Sequence, residues 1–90
     1  MTALAHSATP RLWRLARLDY DPVRQRRVLL YPEGAVLLND TGAAILELCD
    51  GTRTVEQIIS ILSQRYQTDV SADVTEYLNG MVDRELVRDH

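Results

Sequence analysis

Leu48-Cys49-Asp50-Gly51 contains the only cysteine in the chain, with a carboxylate next to it. A thiol beside a base is a candidate nucleophile, and a thiol among histidines is a candidate metal ligand. Neither constellation can be completed here. The two histidines, His6 and His90, lie in the two end segments, and a loose end cannot hold an imidazole at the ~3 Å that proton transfer needs. Asp50 raises a neighbouring thiol's pKa, whereas activation requires a cationic niche. Cys49 therefore reads as a small hydrophobe in a core. The acids Asp69, Asp73 and Glu76 of "DVSADVTE" lack the spacing of a calcium loop. They read as helix N-terminal charges on a solvated face. All ten basic residues are Arg, which removes Schiff-base and phosphate-loop lysines. No catalytic residue, no metal site and no cofactor is expected, and the chain is read as a non-enzyme.

The elements around these residues follow from periodicity. Residues 1–10, "MTALAHSATP", are small and polar and end in Pro, so they read as a disordered arm. Residues 11–90 read as one domain, which the length of 90 residues permits. Trp13–Tyr20, Arg26–Tyr31 and Ala35–Leu38 are rich in strand formers. The turns "DPVRQ" and "YPEG" join them into a three-stranded antiparallel meander. The period then changes from 2 to 3.6. Asn39 or Asp40 caps a first helix that runs to about Cys49 and carries Ile45, Leu48 and Cys49 on one face. Asp50-Gly51 ends it, with Gly51 suited to a left-handed position. Thr54 and Gln57 form a capping box, "TVEQ", for a second helix. Its apolar stripe is Val55, Ile58, Ile59, Leu62 and Tyr66. Ser71 is expected to cap a third helix with Val74, Tyr77, Leu78, Met81 and Val82 on its apolar side. "ELVRDH" adds a short strand or frays. The fold class is α+β, a small winged helix-turn-helix-like domain.

Charge bears on the partner. Net charge is −3. It is divided between six Arg and two Asp in residues 1–27, giving +4, and four Arg and eleven acids in residues 28–90, giving −7. The third helix carries Asp73, Glu76, Asp83 and Glu85 with only Arg84. Phosphates would repel it, so a winged-helix reading of DNA is the weaker alternative and no nucleic-acid partner is expected. No apolar run approaches the roughly 20 residues of a membrane span. There is no secretory pattern at the N-terminus, and a lone cysteine suits a reducing compartment, so the expected setting is cytoplasmic, with no membrane partner. Peptide binding fits better. The third strand has no charge and no Pro, and such an edge invites an added strand. A second copy of the chain can cover the same edge, giving a homodimer that competes with peptide.

Leu37 to Leu62, "LLNDTGAAILELCDGTRTVEQIISIL", closely resembles the PqqD family of pyrroloquinoline quinone biosynthesis. The carrying residues are Leu38-Asn39, Thr41, Ile45, Leu48-Cys49-Asp50-Gly51, Arg53-Thr54-Val55 and Ile58. The likeness extends loosely over residues 12–88. It implies a non-catalytic peptide chaperone, a recognition element for ribosomally made, modified peptides. Such a protein binds the precursor peptide PqqA and presents it to PqqE, a radical S-adenosylmethionine enzyme that crosslinks a Glu and a Tyr of that peptide. A recognition element serving a different peptide pathway is the alternative. The resemblance further implies that the peptide adds as a strand along Ala35, Val36, Leu37 and Leu38 and packs against Val74, Tyr77, Leu78 and Met81. Leu78 and Val82 are expected to dock the third helix, leaving Tyr77 and Met81 to line a groove.

Overall fold

The computed structural model describes residues 4–90. In chain order the elements are β1 (Pro10–Leu12), β2 (Arg17–Asp21), β3 (Arg26–Tyr31), β4 (Gly34–Leu37), α1 (Asp40–Glu47), α2 (Val55–Tyr66), α3 (Ser71–Asp83) and β5 (Val87–Asp89). The architecture is α+β: an antiparallel sheet in the order β2-β3-β4, followed by three helices, with β1 and β5 forming a separate antiparallel ribbon. α1 lies against β2 and β3, α2 against α1 and α3, and α3 against β5.

The turns of the meander are made by the residues that predict them. The Asp21 carboxylate accepts the amides of Val23 at 3.0 Å and Arg24 at 3.3 Å. Gln25 then takes the left-handed conformation, with φ 54°. Tyr31 pairs with Gly34 and closes the second hairpin around Pro32-Glu33. In register, Leu18, Leu29 and Val36 stand side by side on one face of the sheet, and that face packs on the helices. The first sheet strand is shorter than the expected Trp13–Tyr20. The Ala16 amide donates to the Trp13 carbonyl at 2.8 Å, and this turn swings the chain from the ribbon onto the sheet.

Asn39 is the N-cap of α1, and its Oδ1 accepts the Gly42 amide at 2.7 Å. The capping box of α2 is complete. The Gln57 amide donates to Thr54 Oγ1 at 3.1 Å, and the Thr54 amide donates to Gln57 Oε1 at 2.9 Å. Ser71 is not the cap of α3. Val70 occupies that position without a side-chain bond, and the Asp69 carboxylate accepts the Ser71 amide at 2.9 Å instead. The Asp69 side chain satisfies the amide of Ser71 itself, one of the first amides of α3 that have no intrahelical acceptor. Tyr66 also departs from its expected stripe. It is 41% exposed, because the last turn of α2 runs past the core.

Residues 4–10 are not a loose arm in this structure; residues 1–3 lie outside the described residues. The Val55 amide donates to the Ala8 carbonyl at 2.9 Å and the Glu56 amide to the His6 carbonyl at 3.0 Å. These are the first amides of α2, which have no intrahelical acceptor. With Thr54 taking the third, the N-terminal segment completes the cap. Ala8 and Pro10 are buried. The end segments that carry the histidines are likewise tied down, since the His90 amide donates to the Thr9 carbonyl at 2.9 Å.

The core is aliphatic. Leu29, Ile45, Leu46, Ile58, Leu62, Val74 and Leu78 are fully buried. Each is worth about 1.5–3 kcal/mol of apolar transfer. The few aromatic residues lie at its edge, where Trp13, Tyr31 and Tyr77 pack against it part-buried.

Candidate functional site

Cys49 settles the first chemical question. It is buried, and its Sγ lies 3.3 Å from the Ile45 carbonyl, to which it donates. Burial, with a further contribution from the Asp50 charge, pushes the thiol from 9.0 up to about 12. Such a thiol is inert near neutral pH. Its raised value stabilises the fold in full below pH 9.0, and that stability is lost as pH rises towards about 12. Stability measured by urea unfolding is therefore expected to fall above pH 9.0, the cysteine's value before burial, and Cys49→Ala should flatten this limb. Rapid thiol labelling of the folded protein would contradict a buried, structural role. Among the described residues, no three His, Cys, Asp or Glu side chains are grouped to hold a metal ion. Among the described residues, no helix is long and apolar enough to cross a membrane.

β4 is an edge strand of the three-stranded sheet. The Leu38 amide donates to the Arg27 carbonyl at 3.0 Å, and the ladder continues through Leu29↔Val36 and Tyr31↔Gly34. Antiparallel pairs alternate between bonded and non-bonded residues. Gly34, Val36 and Leu38 therefore turn their amides and carbonyls towards β3, while Ala35 and Leu37 turn theirs outward. Among the described residues these outward groups have no backbone partner. Val36 packs against the core and Leu38 is buried in it. Ala35 is exposed, and the Leu37 side chain is 45% exposed. The strand thus presents two residues to an incoming chain, on alternating positions, and anchors itself with the other two.

On α3 the expected residues separate in the same way. Val74 and Leu78 are core residues. Tyr77 is half-buried and faces a groove of about 550 Å³ between the start of α1 and α3. Burial raises the Tyr77 phenol above its ordinary value, against the opposing pull of Arg84, so the hydroxyl stays a neutral donor at neutral pH. Met81 and Val82 divide less sharply between groove and core than expected. Met81 touches the groove but is only 6% exposed, and Val82 is the part-buried one.

The groove has further walls that sequence reasoning did not assign to a site. They are Thr41, Gly42 and Ile45 from α1 with its N-cap Asn39, and Gly80 from α3 with its C-cap Arg84. Asn39 is legible only as a cap. Gly42 leaves room for Tyr77, since a Cβ there would stand 2.8 Å from the Tyr77 hydroxyl and 3.0 Å from its ring and the tyrosine would have to shift. Asp73 and Glu76 rim the N-terminal end of α3 and Arg84 its C-terminal end, where Arg84 Nη2 donates to the Tyr31 hydroxyl at 3.4 Å. None of Ala35–Leu38 lines this groove, but Asn39, the residue that follows them, does. The outward edge and the groove therefore adjoin at the β4–α1 junction.

Known proteins share this arrangement. The family described as Coenzyme PQQ synthesis protein D (PqqD) matches residues 26–87. A bifunctional coenzyme PQQ synthesis protein C/D of Methylorubrum extorquens is 42% identical over 89 residues, which cover 96% of this chain but only 24% of that longer protein. A PqqA binding protein of Methylococcus capsulatus is 40% identical over 76 residues, covering 83% of this chain and 82% of its own. The solution structure of the PqqD part of Methylobacterium extorquens PqqCD superposes with a TM-score of 0.82 at 41% identity, covering 97% of this chain and 96% of that one. It is described as a functional, stand-alone recognition element for ribosomally synthesized and post-translationally modified peptides. The crystal structure of PqqD from Xanthomonas campestris superposes with a TM-score of 0.58 at 30% identity, covering 94% and 98%. With its sheet, its three helices and most of its length matched in this way, the chain belongs to the PqqD family.

Proposed function

We propose that this protein is a non-catalytic, cytoplasmic peptide chaperone that binds the precursor peptide PqqA by strand addition to β4 and presents it to the radical S-adenosylmethionine enzyme PqqE. The observation that carries the binding mode is the open edge of β4, where Ala35 and Leu37 hold their backbone groups outward beside a groove lined by Tyr77. The relatives called PqqA binding proteins supply the peptide's identity. Backbone bonds to an edge strand accept almost any extended chain, so selectivity comes from side chains seated in the groove. The absence of chemistry rests on the inert thiol of Cys49 and on the family's role as a recognition element, leaving the reaction to PqqE. A recognition element of this shape can serve another modified peptide, and a second copy of the chain can compete for the same edge.

The test is a titration of isotopically labelled protein with synthetic PqqA, then with PqqE added. Amide shifts are expected at residues 35–38 and around Tyr77, with the complex persisting in a ternary assembly. Shifts confined to β2 and α2 would place the site elsewhere. Tight binding of a leader from another pathway, with none of PqqA, would move the protein to that pathway. A sedimentation series in which added peptide dissociates dimers would show that copy and peptide share the edge.

A further inference from the structure

Two glycines touch the groove, and only one has a reason inside the protein. Gly42 makes room for Tyr77. Gly80 lies in the interior of α3, and a Cβ built there would meet nothing within 4 Å. Glycine is an unfavourable residue inside a helix, because ordering its backbone costs more entropy than ordering alanine's. Packing, a turn or a left-handed conformation usually justifies it, and none of these applies at Gly80. What the missing side chain does is lower the ridge between two hollows. Gly80 and Glu76 border both the groove on the α1 side and a second, more open hollow of about 690 Å³ on the other flank of α3. That second hollow is bounded by His6, Thr75, Asn79 and Asp83. Its far wall is the N-terminal segment, held to α3 by the Leu4 amide donating to Asn79 Oδ1 at 3.1 Å.

We infer that a bound peptide does not stop at the strand it adds to β4 but crosses α3 at Gly80, its backbone passing over the bare helix into the second hollow. Residues 76 and 80 stand one turn apart on the same line of the helix, so the gap at Gly80 is flanked by Glu76 on the ridge. Glu76 and Asp83 make the second hollow acidic, and a peptide segment carrying a basic side chain is the occupant it suits. This inference rests on the peptide-binding reading above and extends it by a second contact region.

Gly80→Ala tests the crossing because its two expected effects have opposite signs. The melting temperature should rise by roughly 2–8 °C, as a helix-interior glycine is replaced. Affinity for synthetic PqqA should fall by about tenfold, the loss of one well-packed contact. In the wild-type titration, the amides of Thr75 and Asn79 should shift together with those of Ala35 and Leu37. If Gly80→Ala binds PqqA as well as the wild type, or if Thr75 and Asn79 do not move on titration, the crossing is wrong. The strand-addition reading fails separately, through a Leu37→Pro variant that binds normally. If Gly80→Ala fails to fold, the wild-type shifts alone decide.

Discussion

Replacing Leu37 by proline lowers the affinity for PqqA by roughly 5- to 150-fold, about 1–3 kcal/mol, while the domain stays folded. The magnitude comes from one lost donor and one peptide carbonyl left without a partner in a partly desolvated edge. The fold survives because the Leu37 amide points away from β3, and edge strands accept proline where its nitrogen faces solvent. Val36→Pro is the matching control. The Val36 amide belongs to the ladder with Leu29, so proline there breaks the hairpin itself and lowers stability before binding can be read. Isothermal titration, paired with urea unfolding of both variants, separates the two. Equal effects of the two substitutions on stability would show that the alternation of inward and outward groups on β4 is misassigned. The sequence marks residues 35–38 as one uniform edge, whereas the register divides it into two residues that face β3 and two that face outward.

The second large effect lies on α3. Leu78→Ala is expected to cost about 2–5 kcal/mol of stability, as truncation of a buried leucine does. Leu78 is 1% exposed and packs in the main core with Val74. A domain of this size has only about 5–13 kcal/mol in total, so the variant unfolds at much lower urea. Tyr77→Ala should behave in the opposite manner, losing about 1–3 kcal/mol of PqqA binding with a small change in stability. Measuring both quantities on both variants checks the division of α3 into a core stripe and a groove-facing residue. A Leu78→Ala protein of unchanged stability would return Leu78 to the binding surface.

Some of this was open to a reader of the chain. β3 and α2 were legible because each carries its whole reason locally: an apolar run between two turn sequences, and a capping box followed by apolar residues at helical spacing. Asn39, Thr54 and the Asp21 turn act on neighbours within a few residues, and short-range hydrogen bonds are written in order along the chain. The sequence by itself also pointed to a buried Cys49, since its spacing from Ile45 and Leu48 implied an apolar face; the residue lies just past the end of α1, but it is buried as that spacing implied, and burial is what raises its pKa.

Tertiary structure alone decided the rest. β1 and β5 have three residues each, too few for any period to register; "ELVRDH" offered only a choice between a short strand and a frayed end, and the strand exists because β1 and β5 supply each other's hydrogen-bond partners across nearly the whole length of the chain. For the same reason residues 6–8 look like a polar tail until α2 presents two free amides that need their carbonyls. Ser71 lies inside α3 and does not cap it, and Met81 is almost fully buried at the edge of the groove, because how much of a helix face is covered is set by what it packs on and not by its own spacing. The candidate groove is the clearest case. Its walls come from α1 and α3, whose positions relative to each other depend on α2 lying between them in sequence and packing on both. Periodicity along one helix reports which side is apolar. How much of that side a neighbour covers, and what is left for a ligand, follows only when the helices are brought together.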